Sequence, residues 1–198
     1  MSNIKKPLLS VCLITYNHID YIREAIDSVI MQKVNFAWEL IIADDFSTDG
    51  TREIVLKYKK KIPDFIKLIL QKENVGAAIS FIDLISTPQS KYIAYFEGDD
   101  YWTDPLKLQK QVDYLEDNPD YGLVHGDVNH LNNKTGKMTK AFNKTNNIKI
   151  PNGDIFEFLM KPSHSIKSST TCFRKDLFQK YYISNNEIMQ SDWALIDI

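Results

Sequence analysis

Four short apolar runs, each emptying into a polar turn and most of them followed by a helix-spaced pattern, fill the first hundred residues and constrain the fold most. Leu8 to Ile14, with Ser10 interrupting, stops at Thr15-Tyr16-Asn17 and suits a buried first strand. Behind it Tyr21, Ile22, Ala25, Ile26, Val29 and Ile30 recur at helical spacing, with Asn17 or Asp20 available as cap. Trp38 to Ala43 predicts a second strand, and Asp44-Asp45-Phe46-Ser47-Thr48-Asp49-Gly50-Thr51 a polar turn before the helical positions Ile54, Val55 and Tyr58. Phe65 to Leu70 makes a third strand, after which Asn74-Val75-Gly76 turns the chain into a helix from about 77 to 85 that Pro88 closes. The fourth run begins at Tyr92 and ends in Glu97-Gly98-Asp99-Asp100-Tyr101-Trp102.

Strands alternating with helices of this length imply an α/β fold, a mostly parallel sheet built from right-handed crossovers. In such sheets ligands bind beyond the carboxyl ends of the strands, so the polar turns of strands one, two and four converge on one cleft. The fourth turn carries three acids. At an effective dielectric of about 20, like charges about 4 Å apart repel by roughly 4 kcal/mol, and a divalent cation removes that penalty. Hard carboxylate oxygens suit magnesium or manganese, with substrate phosphate and water completing the shell. A metal-diphosphate site is the expectation. The usual glycine-rich dinucleotide and P-loop signatures are absent, so carboxylates and a metal must hold any nucleotide.

At 198 residues, with 43% apolar and 25% charged residues, the composition is that of one soluble globular domain. A formal net charge of -2 gives no overall attraction to nucleic acid, and Lys59-Lys60-Lys61 reads as a solvated helix face. Cys12 and Cys172 lack metal-type spacing and read as buried thiols in a reducing compartment. No segment approaches the roughly 20 apolar residues of a membrane span and no signal-peptide core opens the chain, so a cytoplasmic protein is expected.

After Trp102, Thr103 or Asp104 caps a helix carried by Leu108, Val112 and Leu115, with Pro105 in its first turn. A strand is expected over Tyr121 to Val128, with His125 and Asp127 on it, then a loop or irregular hairpin from Asn129 to Asn152. Asp154 caps a helix from Ile155 to Met160, Ser168 to Phe173 forms a strand, and a short helix follows near Asp176 to Tyr181. The apolar end Trp193 to Ile198 suggests continuation into further sequence.

Taken together, the stretches Ser10 to Asn17, Ile41 to Thr51, Asn74-Val75-Gly76, Glu97 to Trp102 and Ser169 to Arg174 resemble the family 2 nucleotide-sugar glycosyltransferases. The resemblance spans the whole chain. It implies a GT-A fold, a Rossmann-like α/β/α sandwich, forming a single catalytic domain over 1–198. Residues 1–102 would be its nucleotide-binding half and 103–198 its acceptor half. It further implies an inverting, metal-dependent transferase moving a sugar from a nucleotide-diphosphate donor, a UDP-sugar, to a saccharide or lipid-linked hydroxyl acceptor. Surface polysaccharide or glycolipid synthesis at the inner face of the cell membrane, with peripheral membrane association, follows from the same resemblance.

Carried residue by residue, Tyr16 packs against the base, Thr15 and Asn17 line its pocket, and Asp45 or Asp44 accepts the uracil imide proton. Gly76 belongs to the nucleotide turn; Glu97 or Asp99 meets the ribose and sugar, and Asp99 and Asp100 reach Mn2+ or Mg2+ on the diphosphate. Trp102 and His164 fall at the acceptor or metal edge, and Asp192, in Ser191-Asp192-Trp193, takes the place of the general base. Where the family has an arginine after the Asn-x-Gly turn, this chain has Ala77-Ala78, which leaves Lys72 or Arg174 to face the phosphates. The Gln-x-x-Arg-Trp mark of processive members is missing, which favours single-sugar addition. Two other classes compete: a GT-A module that binds nucleotide without catalysis, and a phosphotransfer receiver built on Asp44-Asp45. The receiver leaves the second acidic turn unused.

Overall fold

The computed structural model describes residues 6–153 and 166–178. Its centre is a six-stranded sheet. Strands β1 (Leu9–Thr15), β2 (Trp38–Asp44), β3 (Ile66–Leu70) and β4 (Tyr92–Glu97) run parallel, joined by α1 (Ile22–Ile30), α2 (Thr51–Lys61) and α3 (Ala77–Ser86). After α4 (Lys107–Asp117) and the short β5 (Leu123–Val124), a separate hairpin of β6 (His130–Asn132) and β7 (Lys137–Thr139) leaves the sheet. The last described strand, β8 (Cys172–Arg174), returns antiparallel between β4 and β5, which makes the order β3-β2-β1-β4-β8-β5. Among the described residues no helix is long and apolar enough to cross a membrane.

Both faces of the parallel strands are covered, which is why their sequences read as unbroken apolar runs rather than alternations. Leu9, Val11, Leu13, Leu40, Ile42, Tyr92, Ala94 and Phe96 pack against α1, α2 and α4 on one side. Cys12, Ile41, Ala43 and Ile93 meet Leu84 and Ile85 of α3 on the other. Each fully buried aliphatic or aromatic side chain stabilises by roughly 1.5–3 kcal/mol, so this double core sets the sheet. Ser10, the polar break in β1, is buried and donates its hydroxyl to Glu39 at 2.8 Å, while Glu39 pairs with Lys67. That meets the need of buried polar atoms for partners.

Several local expectations change. Neither Asn17 nor Asp20 caps α1, which starts behind Tyr21 without a side-chain cap, because Asn17 is spent on the neighbouring turn. Asp104 accepts from the Leu106 amide ahead of α4 and so shapes the approach rather than capping the first turn. The strand expected over Tyr121 to Val128 shrinks to Leu123–Val124. Beyond it, Asp127 takes the amides of Val128, Asn143 and Lys144, an arrangement incompatible with a ladder. Ser168–Thr170 is a 3-10 turn and only Cys172–Arg174 is strand, since Thr170 and Thr171 turn their hydroxyls back onto the carbonyls of Lys167 and Ser168. The expected helix over Ile155 to Met160 lies outside the described residues, and the closing helix is described over Lys175–Phe178.

Candidate active site

The parallel register brings three turns to one end of the sheet: Thr15 is level with Asp44, and Ile14 with Glu97. Backbone bonds fix their spacing, the Asp45 amide donating to the Thr15 carbonyl at 3.0 Å and the Gly98 amide to that of Ile14 at 2.9 Å. Asn17, at φ 54°, joins the first two turns: its amide donates to the Ser47 hydroxyl at 2.9 Å, and its side-chain oxygen accepts from the Thr48 amide at 2.9 Å. Asparagine tolerates this left-handed conformation better than most residues. Asp49 completes the joint by accepting from Ile19 and Thr51. Those donors outweigh its desolvation and hold its carboxyl below the ordinary range.

The two adjacent aspartates of the second turn divide their work. Asp45, almost wholly buried, accepts the amides of Val75 at 2.9 Å and Gly76 at 3.0 Å, one on each oxygen. It thereby anchors the Asn74–Gly76 turn, where Gly76 sits at φ 86° and ψ 157°, a conformation reserved to glycine. Each Asp45 oxygen keeps a further lone pair. Asp44, sealed from solvent, pairs through Oδ2 with Arg52 and accepts from the Ser47 amide, while its buried Oδ1 has no partner among the described residues. Arg52 also bonds the carbonyls of Asp44 and Gln71 and lies 5.4 Å over the Phe46 ring. Around these carboxylates Tyr16, 44% exposed, and the exposed Phe46 offer aromatic surface at the mouth.

The third turn carries Glu97, Asp99 and Asp100. Desolvation pushes Glu97 above its ordinary range; the Ser168 hydroxyl, donating at 2.9 Å, pulls the other way, and the charges of Asp100 and Asp99 push it up further. Asp100 is likewise raised, first by desolvation, against a bond from Ser169 and with Asp99 adding repulsion. The turn is therefore held together under its own repulsion, the condition a cation relieves. Two adjacent hard carboxylates fit Mg2+ or Mn2+. Among the described residues no three His, Cys, Asp or Glu side chains converge on one point, so a cation here takes the rest of its shell from diphosphate and water.

Some residues that matter here carried no signal on their own. His18 Nδ1 lies 3.3 Å from the Thr15 hydroxyl and its Nε2 lies 4.0 Å from Asp99, so it bridges the first turn and the acidic turn. Its position, one residue past Tyr16-Asn17, was the available clue. Ser168 reaches Glu97 from 71 residues downstream and Ser169 reaches Asp100 beside it, links no local pattern shows.

Other placements correct the expectations. Trp102 is only 6% exposed: it packs 4.7 Å from Phe96 and donates to the Ser169 carbonyl at 2.8 Å, so it is a wall behind the acids rather than an acceptor edge. Arg174 cannot face the phosphates, because it sits level with Tyr92 at the amino end of β4 and bonds the carbonyls of Tyr121, Leu115 and Asn118. His164 and Asp192 lie outside the described residues.

Comparison with known proteins bears on the same residues. A protein of Bacillus subtilis strain 168 named as a teichuronic acid biosynthesis glycosyltransferase, TuaG, is 41% identical over 110 residues, 56% of this chain and 42% of its own. The mannosyltransferase PcManGT from Pyrobaculum calidifontis, solved in complex with GDP-Man and Mn2+, superposes with a TM-score of 0.62 at 19% identity, covering 89% of this chain and 47% of that one. TarS residues 1-349 from S. aureus, in complex with UDP-GlcNAc, gives a TM-score of 0.63 at 21% identity over 87% of this chain and 46% of that one. The chain thus spans less than half the length of each of the three. The two structural likenesses establish the GT-A fold. The family model described as Glycosyl transferase family 2 matches residues 10–182, taking in all three turns of the cleft, and the chain belongs to that family.

Proposed function

We propose that the chain is the catalytic part of an inverting, metal-dependent glycosyltransferase that moves one sugar from a UDP-sugar to a saccharide or lipid-linked hydroxyl. The observation that carries this is the acidic turn Glu97–Asp100, held under repulsion beside a pocket framed by Thr15, Tyr16, Asn17, Asp44 and Asp45. In support, PcManGT was solved with GDP-Man and Mn2+ and TarS with UDP-GlcNAc. The relative named for teichuronic acid synthesis supports a role in surface polysaccharide, placed by this reading at the cytoplasmic face of the cell membrane.

Tyr16 provides a face for the base, and Asp45 and Asp44 are the two acceptors available for the uracil imide proton. Gly76 and the turn held by Asp45 close the nucleotide side. Glu97, braced by Ser168, or Asp99 receives the hydroxyls of ribose and sugar. Asp99 and Asp100 would hold the Mn2+ or Mg2+, which when bound supplies Lewis acidity to the departing diphosphate. The attacking hydroxyl loses its proton to a carboxylate across the sugar ring, a role assigned to Asp192. Calorimetric titration with UDP tests the reading. Binding that requires Mn2+ or Mg2+ is expected, and failure of both UDP and GDP to bind with either metal present refutes it.

A further inference from the structure

The β6–β7 hairpin has no part in the cleft chemistry, and its composition departs from the rest of the chain. From Val128 to Gly153 there are five lysines, at 134, 137, 140, 144 and 149, and no Asp or Glu, although the whole chain is net negative at -2. Among the described residues none of these five ammonium groups has a carboxylate partner; the ion-paired lysines, Lys67, Lys91 and Lys110, lie outside this segment.

The hairpin is nevertheless a built element. The Phe142 amide donates to the Val128 carbonyl at 2.7 Å, that of Ala141 to the Asn129 side chain at 3.0 Å, and Asp127 holds the amides of Asn143 and Lys144. His130 rests edge-on against Phe142, their rings 5.7 Å apart. Leu131 pairs directly with Met138 across the two strands, so both side chains project from one face, at 39% and 40% exposure. Successive strand residues point to opposite faces, so that face is turned away from the side on which His130 meets Phe142. A pair of exposed apolar side chains set among unpaired lysines is the pattern of a surface that sinks shallowly into a headgroup layer.

We propose that this hairpin is a docking surface for a bilayer containing anionic phospholipid, with Leu131 and Met138 in the interface and the lysines on the phosphates. Charge complementarity favours lipid, and the apolar pair favours it over a soluble polyanion, which would leave Leu131 and Met138 in water. The hairpin also lies beside the cleft: the Asn133 side chain donates to the Tyr21 hydroxyl at 3.1 Å, and Tyr21 opens the helix that follows the Thr15–Asn17 turn. A membrane held there faces the mouth of the site. The docking itself is independent of the sugar transferred.

The test is co-sedimentation of the 198-residue chain with vesicles of phosphatidylcholine, with and without 30 mol% phosphatidylglycerol. Binding to the anionic vesicles alone is expected, and it should fall away when the salt is raised. At roughly a fivefold effect per lysine near an anionic surface, Lys134→Gln with Lys137→Gln and Lys140→Gln should weaken it on the order of 100-fold. Leu131→Ser with Met138→Ser should weaken it as well, with the thermal midpoint of each variant kept. As a second readout, Met138→Cys takes a polarity-sensitive dye, the two native cysteines being buried. The dye should shift to the blue on anionic vesicles. Equal binding to both vesicle types, an unaffected lysine variant or an unshifted dye overturns the proposal. Vesicle binding unaffected by the two serines also overturns it and identifies the hairpin as a polyanion site.

Discussion

Gly98→Ala is the sharpest test of how the cleft is spaced. A methyl group at Gly98 would stand 2.6 Å from the Thr15 hydroxyl oxygen and 2.8 Å from both Thr15 Cβ and His18 Nδ1, far inside the 3.4–4 Å of ordinary contact. Thr15 cannot yield easily, because β1 is clamped between β2 and β4 and its Cβ moves only with the strand. The His18 ring could swing away, but only by giving up its contact with Thr15. The acidic turn must therefore back off from β1, weakening the bond from the Gly98 amide to the Ile14 carbonyl. Overpacking of this kind costs about 1–3 kcal/mol. For a chain of this size that lowers the melting temperature by roughly 3–10 °C. The displacement also moves Asp99 and Asp100 relative to the base pocket, so metal-dependent UDP affinity should drop about tenfold or more, or about 1.4 kcal/mol. Urea unfolding and calorimetry read the two effects separately. A variant with an unchanged urea midpoint and unchanged UDP affinity would refute the claim that this contact sets the distance between base pocket and acidic turn.

Asp45→Asn keeps one acceptor oxygen but turns an amide N–H toward the Val75 or Gly76 amide. Losing a charge-assisted bond there should cost about 1.5–3 kcal/mol, with faster hydrogen exchange at those two amides. Lys107, which donates to Gln111 and lies over the Trp102 ring, has its ammonium pulled by burial from 10.5 down to about 8. Below about pH 8 both folded and unfolded states carry this charge; as pH rises from there toward 10.5 only the unfolded state still holds the proton, so stability increases. Burial pushes the Cys12 and Cys172 thiols up, which opposes this gain above about pH 9, so the test is a difference: over that range the urea midpoint of the native chain should rise relative to that of Lys107→Met, and a constant gap between the two would refute the assignment. Asp192→Asn should leave UDP binding intact while abolishing sugar transfer, and transfer at the native rate would take the base role from Asp192.

The parallel half of the molecule was legible because burial on both faces writes itself as apolar runs, and β1 to β4 begin and end within a residue or so of their expected bounds. The acids at the end of β4 stand out in the sequence for a related reason: three carboxylates closing an apolar strand have no packing explanation. Caps were misjudged. Asn17 has the chemistry of a helix cap, yet tertiary contacts to Ser47 and Thr48 claimed it. Trp102 and Arg174 were misplaced because their partners, Ser169 and the end of α4, lie 67 and 59 residues away. Ser168 to Phe173 has strand composition, but hydroxyl-to-carbonyl bonds within it won over the ladder. Those contacts become visible only once the chain has folded.

The 3-10 turn Ser168–Thr170 carries a consequence for the order of events in folding. It touches the end of β4, the turn beyond it and α4 through Glu97, Trp102 and Gln111, across separations of 71, 67 and 59 residues. Closing loops of that length costs entropy before any contact repays it, so such pairings form late. Strands β1, β2 and β3, paired across only 29 and 26 residues (Leu9 with Trp38, Leu40 with Ile66), can associate first, whereas β4 reaches β1 across 83 residues (Leu9 with Tyr92) and joins later. During refolding the helical and sheet signals should recover ahead of the ability to bind UDP with metal. The acidic turn spends that interval without the two serines that brace it, which makes donor binding a reporter of the last step rather than of collapse.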